Sequence, residues 1–250
     1  MAGHSKWANI KHQKARNDAK RGKVFTKLIR DLMTAAKQGG GDPNDNPSLR
    51  LAMDNAKKHN LPKDTMERAI KRGTGEIQGE DYVEKTYEGY GPAGVAIIVK
   101  TLTDNTTRTV TNVRTAFNKN GGNMGNDGAV AWMFEQKGQI IYKTDIGAED
   151  TVMEAAIEAG ADDFEPLDEV YKILTQPDDF GTVRDALQEK FGDPEDGDLT
   201  FIPTQTQPVT DVETVEKVMK LVEALDNDDD VQDVITNMDV DDSVAEKLAS

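Results

Sequence analysis

The sequence predicts an α+β protein of three domains: an N-terminal helical bundle, a discontinuous α/β middle domain, and a ferredoxin-like βαββαβ domain inserted into it. Three observations support this. Apolar residues recur with helical period up to residue 73 and with strand-like period from Tyr82 onward. Between residues 140 and 202 the elements run strand, helix, strand, strand, helix, strand, the order of a split βαβ unit. The strand–strand–helix piece before that unit lacks a following strand, and one appears only after Pro208. The expected boundaries are 1–77 for the basic arm and bundle, 78–135 with 205–250 for the middle domain, and 136–204 for the insertion.

The first helix carries Val24, Phe25, Leu28, Ile29, Leu32 and Ala36 on one side, spaced to dock on a core. Gly39, Gly40 and Gly41 end it. Leu49, Ala52, Met53 and Ala56 mark a second helix ending near His59 and Asn60. Pro62 opens a third, with Met66, Ala69 and Ile70 inward and Gly73 as its stop. Strands at 83–90 and 95–101 flank Gly91, Pro92, Ala93 and Gly94, a hairpin. Asp104 or Asn105 caps a helix bearing Val110, Val113 and Phe117. The glycine-rich 122–128 reads as irregular loop, and 129–134 as a connecting strand. The inserted unit is expected as strands at 140–142, 164–167, 170–174 and 199–202, with helices at 151–159 and 182–191. A helix over 212–225 and a strand over 231–235 then complete the middle domain, and the acidic end of the chain is expected to fray.

Charge is unevenly placed. The chain has a formal net charge of −16, yet residues 1–74 hold 17 basic and 7 acidic side chains, a charge of +10. The rest holds 13 and 39, a charge of −26. Such asymmetry suggests a polyanion-binding surface on the basic part, with the acidic remainder orienting the encounter. No apolar run is long enough to span a membrane, the longest (95–99) being strand-length. The absence of cysteine excludes disulfides, thiolate metal sites and cysteine nucleophiles. The N-terminus has no apolar signal core, so a cytoplasmic location is expected.

The candidate site is the N-terminal segment. Arg16, Lys20, Lys23, Lys27 and Arg30 are spaced to form one stripe on a helix, opposite the apolar face. Ahead of them lie Lys6, Lys11 and Lys14 with His4, His12 and a lone aromatic, Trp7. With Arg21, the first thirty residues carry nine Lys and Arg side chains against one acid, Asp18. Cations beside an aromatic in an arm suit phosphate contact plus stacking. A solvated helix face is the competing explanation for the stripe, and a staple on the bundle the competing one for Trp7. If six to ten phosphates are held, affinity falls roughly 10³–10⁵-fold between about 50 and 200 mM salt.

Other chemistry finds little support. Of three histidines, His4 and His12 sit among cations, which opposes metal binding. The acidic run 226–230 resembles the start of a calcium loop, but Val231 and Asn237 stand where such a loop needs its glycine and bidentate glutamate. It is read as a solvated turn. There is no phosphate-binding Walker loop or dinucleotide fingerprint, and serine nucleophiles lack a base. The GxxG spacing at 122–125 matches a nucleotide clamp, but Asp127 and the lack of nearby cations favour a turn. No enzyme, cofactor or small-molecule substrate is expected.

Several stretches resemble the YebC/PmpR family of bacterial proteins: the opening forty-three residues from MAGHSKWANIKHQKARNDAKRGK to QGGGDP, YEGYGPAG at 87–94, NTTRTVTNVRTAF at 105–117, GGNMGNDGAVAWMF at 121–134, and EAAIEAGADD at 154–163. The resemblance covers nearly the whole chain, fading after Asn237. It implies a three-domain cytoplasmic protein with a helical N-terminal domain. Many family members carry the label of DNA-binding transcriptional regulator. The mitochondrial relatives look like translational activators of cytochrome oxidase, and bacterial members are implicated at the ribosome on proline-rich nascent chains. By resemblance, the functional surface comprises Lys6, Trp7, Lys11, His12, Lys14, Arg16, Lys20, Arg21 and Lys23. Lys27 and Arg30 extend it along the stripe.

The expectation is therefore a non-catalytic, nucleic-acid-binding regulator of gene expression, with DNA and ribosomal RNA both open as targets. For duplex DNA a recognition helix should offer Arg, Asn or Gln to base edges, and helix 63–72 offers only Lys63, Arg68, Lys71 and Arg72, all suited to phosphates, while a basic arm that folds on binding suits structured RNA, so the reading leans toward RNA. A protein–protein adaptor acting through the acidic domains is the third class, and it predicts that removing residues 1–23 leaves activity intact.

Overall fold

The computed structural model describes residues 21–78, 82–241, 244 and 248. They form two compact units, one from the described part of 1–134 with 203–250, the other Glu135–Ile202.

In the first unit, helices α1 (Arg21–Gly39), α2 (Pro47–Lys58) and α3 (Lys63–Gly73) bury the apolar faces that their periodicity marks. Leu28, Leu32 and Ala36 meet Leu49, Ala52 and Ala56 of α2 and Met66 and Ala69 of α3. Asn46 caps α2: its Oδ1 accepts from Leu49 N at 3.1 Å while its amide donates to the Ala35 and Gly40 carbonyls at 2.8 Å. One buried side chain thus closes α1 and opens α2. Gly73 lets α3 cross α1 closely, since a Cβ there would collide with the Met33 carbonyl and lie 2.8 Å from the Ala36 methyl. Asn60 takes the left-handed conformation (φ 58) that turns the chain into α3, a cost asparagine tolerates.

Strands β1 (Val83–Tyr90) and β2 (Ala96–Thr103) form the expected hairpin, Tyr90 opposite Ala96 and Val83 opposite Thr103. Helix α4 (Thr106–Lys119) follows, capped by Asn105, and β3 (Asn123–Met124) adds two residues to the free edge of β1. The stretch expected to be wholly irregular is therefore partly paired. The sheet order is β3-β1-β2-β9, where β9 is Val231–Thr236. Helix α7 (Val212–Asp226) and α4 cover one face, with Val113, Phe117, Val215, Val218, Leu221 and Leu225 packed on Val95, Ile97 and Val99. Short β8 (Gln207–Val209) and β10 (Met238–Val240) pair in parallel. Val244 is buried on the same core, so the chain end does not fray at that point.

The expected strand at 129–134 is instead a 3₁₀ turn over Ala131–Met133. The cause is Glu88, buried in β1, whose carboxylate accepts from the backbone N–H of Gly128, Val130 and Ala131 at 2.7–2.8 Å. N–H groups bound to a carboxylate cannot pair with a neighbouring strand.

The second unit holds most of β4 (Phe134–Lys143), then α5 (Glu149–Ala159), β5 (Asp163–Pro166), β6 (Val170–Thr175), α6 (Phe180–Phe191) and most of β7 (Asp196–Pro203). Its sheet order, β5-β6-β4-β7, is the ferredoxin-like arrangement. Antiparallel β6 lies between β4 and β5, which splits the βαβ unit. Tyr142 lies in the core and donates to the Gly192 carbonyl at 3.0 Å, and burial pushes its hydroxyl up to about 12.

Candidate nucleic-acid interface

Lys6, Trp7, Lys11, His12, Lys14, Arg16 and Lys20 lie outside the described residues, and Arg21 and Lys23 belong to the first turn of α1 with side chains outside them. Lys27 and Arg30, the last two members of the basic stripe, are described, and here the structure corrects the sequence reading. The Lys27 ammonium pairs with Asp226 at 3.3 Å and donates to the Gln232 carbonyl at 3.2 Å. Arg30 is 8% exposed; its Nη1 reaches Asp230 Oδ1 at 3.2 Å and donates to the carbonyls of Leu102 and Asp229. Its guanidinium also lies over the Tyr82 ring, 5.0 Å from the centroid. At Lys27 and Arg30 the polar side of α1 is covered by the acidic turn before β9 rather than offered to phosphates.

Asp230 was read from the sequence as part of a solvated turn, and it is 1% exposed. Its carboxylate accepts from Arg108 through Nε at 3.0 Å and Nη2 at 2.8 Å, and from the Thr109 hydroxyl at 2.8 Å. Arg108, on the first turn of α4, also binds Asp104 at 2.7 Å. The two carboxylates raise the guanidinium's pKa further, Asp230 contributing most, and the Arg108 hydrogen bond holds Asp104 below its ordinary value. One buried acid with two arginines fixes α1, β2, α4 and the turn before β9 to each other. The sequence signal was available in the Asp-rich run abutting a β-strand and in Arg108 at the start of a capped helix. Nothing local, however, says that the two meet across 122 residues.

Other cations of the bundle remain on its surface. Lys63, Arg68, Lys71 and Arg72 are all exposed on α3, Lys63 within 3.9 Å of Glu67 and Arg68 bound to the Asp64 carbonyl at 3.1 Å. Lys57 and Lys58 are exposed in the last turn of α2, Lys57 paired with Asp54 at 2.9 Å. Exposed pairs like these exchange readily for phosphate, because each is worth little in water. Away from the bundle, Trp132 is the largest exposed aromatic, 61% accessible at the end of the glycine-rich loop, its indole N–H on the Ala129 carbonyl at 3.3 Å. Its neighbours Asp127 and Glu135 are exposed acids, which suits no polyanion. Among the described residues no cluster of His, Asp or Glu has the geometry to hold a metal ion, and no helix is long and apolar enough to cross a membrane.

Comparison with known proteins agrees with this architecture. Residues 5–76 match the model of the TACO1/YebC protein N-terminal domain, and residues 82–238 that of the TACO1/YebC second and third domain. A probable transcriptional regulatory protein of Persephonella marina is 52% identical over the full length of both chains. One of Geobacter sulfurreducens is 52% identical over 99% of this chain and all of its own. The crystal structure of a conserved hypothetical protein from Aquifex aeolicus superposes with a TM-score of 0.85 at 44% identity, covering 91% of this chain and 94% of that one. Two domain models that together account for nearly the whole chain, and half-identical relatives of the same length, leave one conclusion: the chain belongs to the TACO1/YebC family.

Proposed function

We propose that this protein is a non-catalytic regulator of gene expression that binds nucleic-acid phosphates through its basic N-terminal segment. The observation that carries the reading is the concentration of charge, +10 in residues 1–74 against −26 in the rest. Relatives named as probable transcriptional regulatory proteins support the regulatory role. Lys6, Lys11, Lys14, Arg16, Lys20, Arg21 and Lys23 supply the phosphate contacts, and Trp7 and His12 stack. Lys27 and Arg30 are left out of that set because they hold the acidic loop. DNA is the target of this first reading, since a regulator of transcription acts at DNA.

A second reading, a ribosome-associated translation factor that binds ribosomal RNA, is favoured by one specific observation. The exposed face of α3 presents Lys63, Arg68, Lys71 and Arg72 with Asp64 and Glu67 between them, four cations suited to phosphates, and no Asn or Gln to read adenine. Mixed charge of this kind suits contact with the backbone of a structured RNA. Cosedimentation with ribosomes from lysate at low and high salt separates the two readings, run beside a Lys11→Glu/Lys14→Glu/Arg16→Glu/Lys20→Glu variant. Salt-sensitive pelleting lost by the variant supports the translation factor. Absence from ribosomes with salt-sensitive binding to genomic fragments supports the transcriptional role. Unchanged affinity of the variant for both would end the phosphate-binding proposal.

A further inference from the structure

Lys27 and Arg30 meet the same acidic turn, but they are held in different ways. The Arg30–Asp230 pair is enclosed, its side chains 10% and 2% exposed, and Arg108 and Thr109 bind the same carboxylate. The Lys27–Asp226 pair is looser, 3.3 Å apart with side chains 20% and 36% exposed. A strong charge-assisted N–H···O bond is about 2.7–2.9 Å long. The other Lys27 contact, to the Gln232 carbonyl, is 3.2 Å. Lys27 is therefore a cation within reach of water, held by contacts that cost little to exchange.

Asp226 sits where its charge opposes the helix that carries it. It is the last residue of α7, at the negative end of the helix dipole, and the last turn of α7 has no basic side chain. The half-buried Asp228 and the exposed Asp229 follow it. The cation that offsets these charges comes from α1, 199 positions away in the chain. It is drawn from the basic stripe, in which Lys23 stands one turn before Lys27, about 6 Å along the axis. A polyanion following the stripe through Lys23 reaches, at the next position, an ammonium that already has a carboxylate.

We infer that Asp226 is a built-in competitor for nucleic-acid phosphate at Lys27. In the free protein the carboxylate occupies the ammonium. On binding, Lys27 turns from Asp226 to a phosphate, and Asp226, already partly in water, is left to solvent. Arg30 stays on Asp230, so the contact between α1 and the turn before β9 survives the exchange. The result is selection by charge density. A chain of closely spaced phosphates displaces the carboxylate because release of its condensed counterions adds to the exchange, whereas an isolated anion gains nothing over the carboxylate it replaces. The inference rests on the phosphate-binding reading above and gives the acidic part of the chain a direct hold on that surface.

The test couples the full chain with a carbodiimide, which joins a lysine and a carboxylate in contact as an amide. Mass spectrometry of the digest then measures the Lys27–Asp226 product against Lys190–Glu158, a 2.9 Å pair of the second unit, as internal reference. Coupling is run alone, with double-helical DNA or RNA lacking terminal phosphates, with inorganic polyphosphate, and with orthophosphate. DNA or RNA at saturation is expected to reduce the Lys27–Asp226 product about fivefold while orthophosphate leaves it unchanged. Asp226→Asn should tighten binding by about two- to fivefold, the worth of a partly exposed ion pair, and Asp229→Asn, the same charge change in the same turn, by less. Lys27→Gln should make the salt dependence on B-DNA shallower by about 0.9 in log–log slope, one phosphate fewer. Nucleic acid that binds while the Lys27–Asp226 product persists would overturn the competitor and leave the phosphate-binding proposal standing. Equal gains from Asp226→Asn and Asp229→Asn would also overturn it, reducing Asp226 to one charge among many. Loss of the product with orthophosphate would overturn selection by charge density. Loss with polyphosphate, in a protein that binds neither DNA nor RNA, would uphold the exchange at Lys27 and sink the nucleic-acid reading instead. An unchanged product with every ligand, and no binding, would sink both.

Discussion

Replacing Asp230 by alanine should be among the most damaging single changes on a polar residue of this protein. The carboxylate is held by Arg108, Arg30 and Thr109, and its side chain is 2% exposed. The partners lose unequally. The Arg108 side chain is 43% exposed and keeps Asp104, so water and the remaining acid compensate it, and its share is on the scale of an exposed pair, about 0–1 kcal/mol. Thr109 keeps the Asn105 carbonyl at 3.0 Å. Arg30 has no such outlet, being 10% exposed at the side chain, and among the described residues it would retain the Leu102 and Asp229 carbonyls and the Tyr82 ring. Removing one partner of a buried ion pair costs about 3–5 kcal/mol, and the expected loss is toward the lower end of that range because those carbonyls remain. A loss of about 3 kcal/mol is a more than hundredfold change in the opening equilibrium. Urea unfolding measures the total, and amide exchange across residues 28–36 and 96–103 localises it to the first unit. Arg30→Met combined with Asp230→Leu should recover most of the loss, since well-packed apolar pairs replace buried ion pairs at little cost. A loss below about 1 kcal/mol for Asp230→Ala would mean that the contact between α1 and the turn before β9 is not maintained in solution.

Three further outcomes follow from other contacts. Asn46→Ala should cost about 2–3 kcal/mol by urea unfolding, combining a lost helix cap with two bared carbonyls, and Asn46→Asp should not rescue it because an acid cannot donate to Ala35 and Gly40. Glu88→Gln leaves one acceptor oxygen where two now serve three N–H groups, so exchange of the Gly128, Val130 and Ala131 amides should rise at least tenfold while that of α4 is unchanged. Asp104 has its pKa lowered from 3.8, chiefly by the Arg108 hydrogen bond. Its contribution is therefore complete above the ordinary carboxylate range and is lost as pH falls through the lowered value. Wild type should exceed Asp104→Asn in stability near pH 7, and the two curves should converge in acid as pH falls through the lowered value, with no change in their difference between about pH 6 and 8.

Periodicity carried most of the fold because it reports directly which side of an element is buried. Leu28, Leu32 and Ala36, or Val113 and Phe117, point inward as their spacing demands. The order of elements was enough to recognise the split βαβ unit, since few topologies accommodate that order. What periodicity does not say is which surface covers a face. Lys27 and Arg30 sit on the polar side of α1 as their spacing requires, yet that side meets an acidic loop whose partner residues are about two hundred positions away. Glu88 gave no local sign that it would bind a loop forty residues downstream. Asn237 was equally unreadable: its Oδ1 accepts from Ala96 N at 2.8 Å and its amide donates to the Gln205 carbonyl at 3.0 Å, tying the start of β2 to the segment that enters β8. Polar side chains that organise long-range contacts look, in sequence, like any surface residue.

The position of β9 has a temporal consequence. Strand β2 is hydrogen-bonded on one side to β1, which immediately precedes it, and on the other to β9, with Ile97 opposite Thr236. The helices α1 to α3 and the ferredoxin-like unit are each built from neighbouring stretches of chain and can close as soon as they emerge during synthesis. The first unit's sheet cannot, because its last strand and the acid that anchors Arg30 are made only after the intervening unit is complete. Until then the outer edge of β2 is an open template for foreign strands. A finished, locally folded insertion sits in the chain before that edge is sealed, and Thr204 bonds back to the Met133 carbonyl at 2.8 Å, bringing its two ends together. The interval between the synthesis of residue 103 and residue 236 is therefore the period in which a growing chain is most exposed to misassembly.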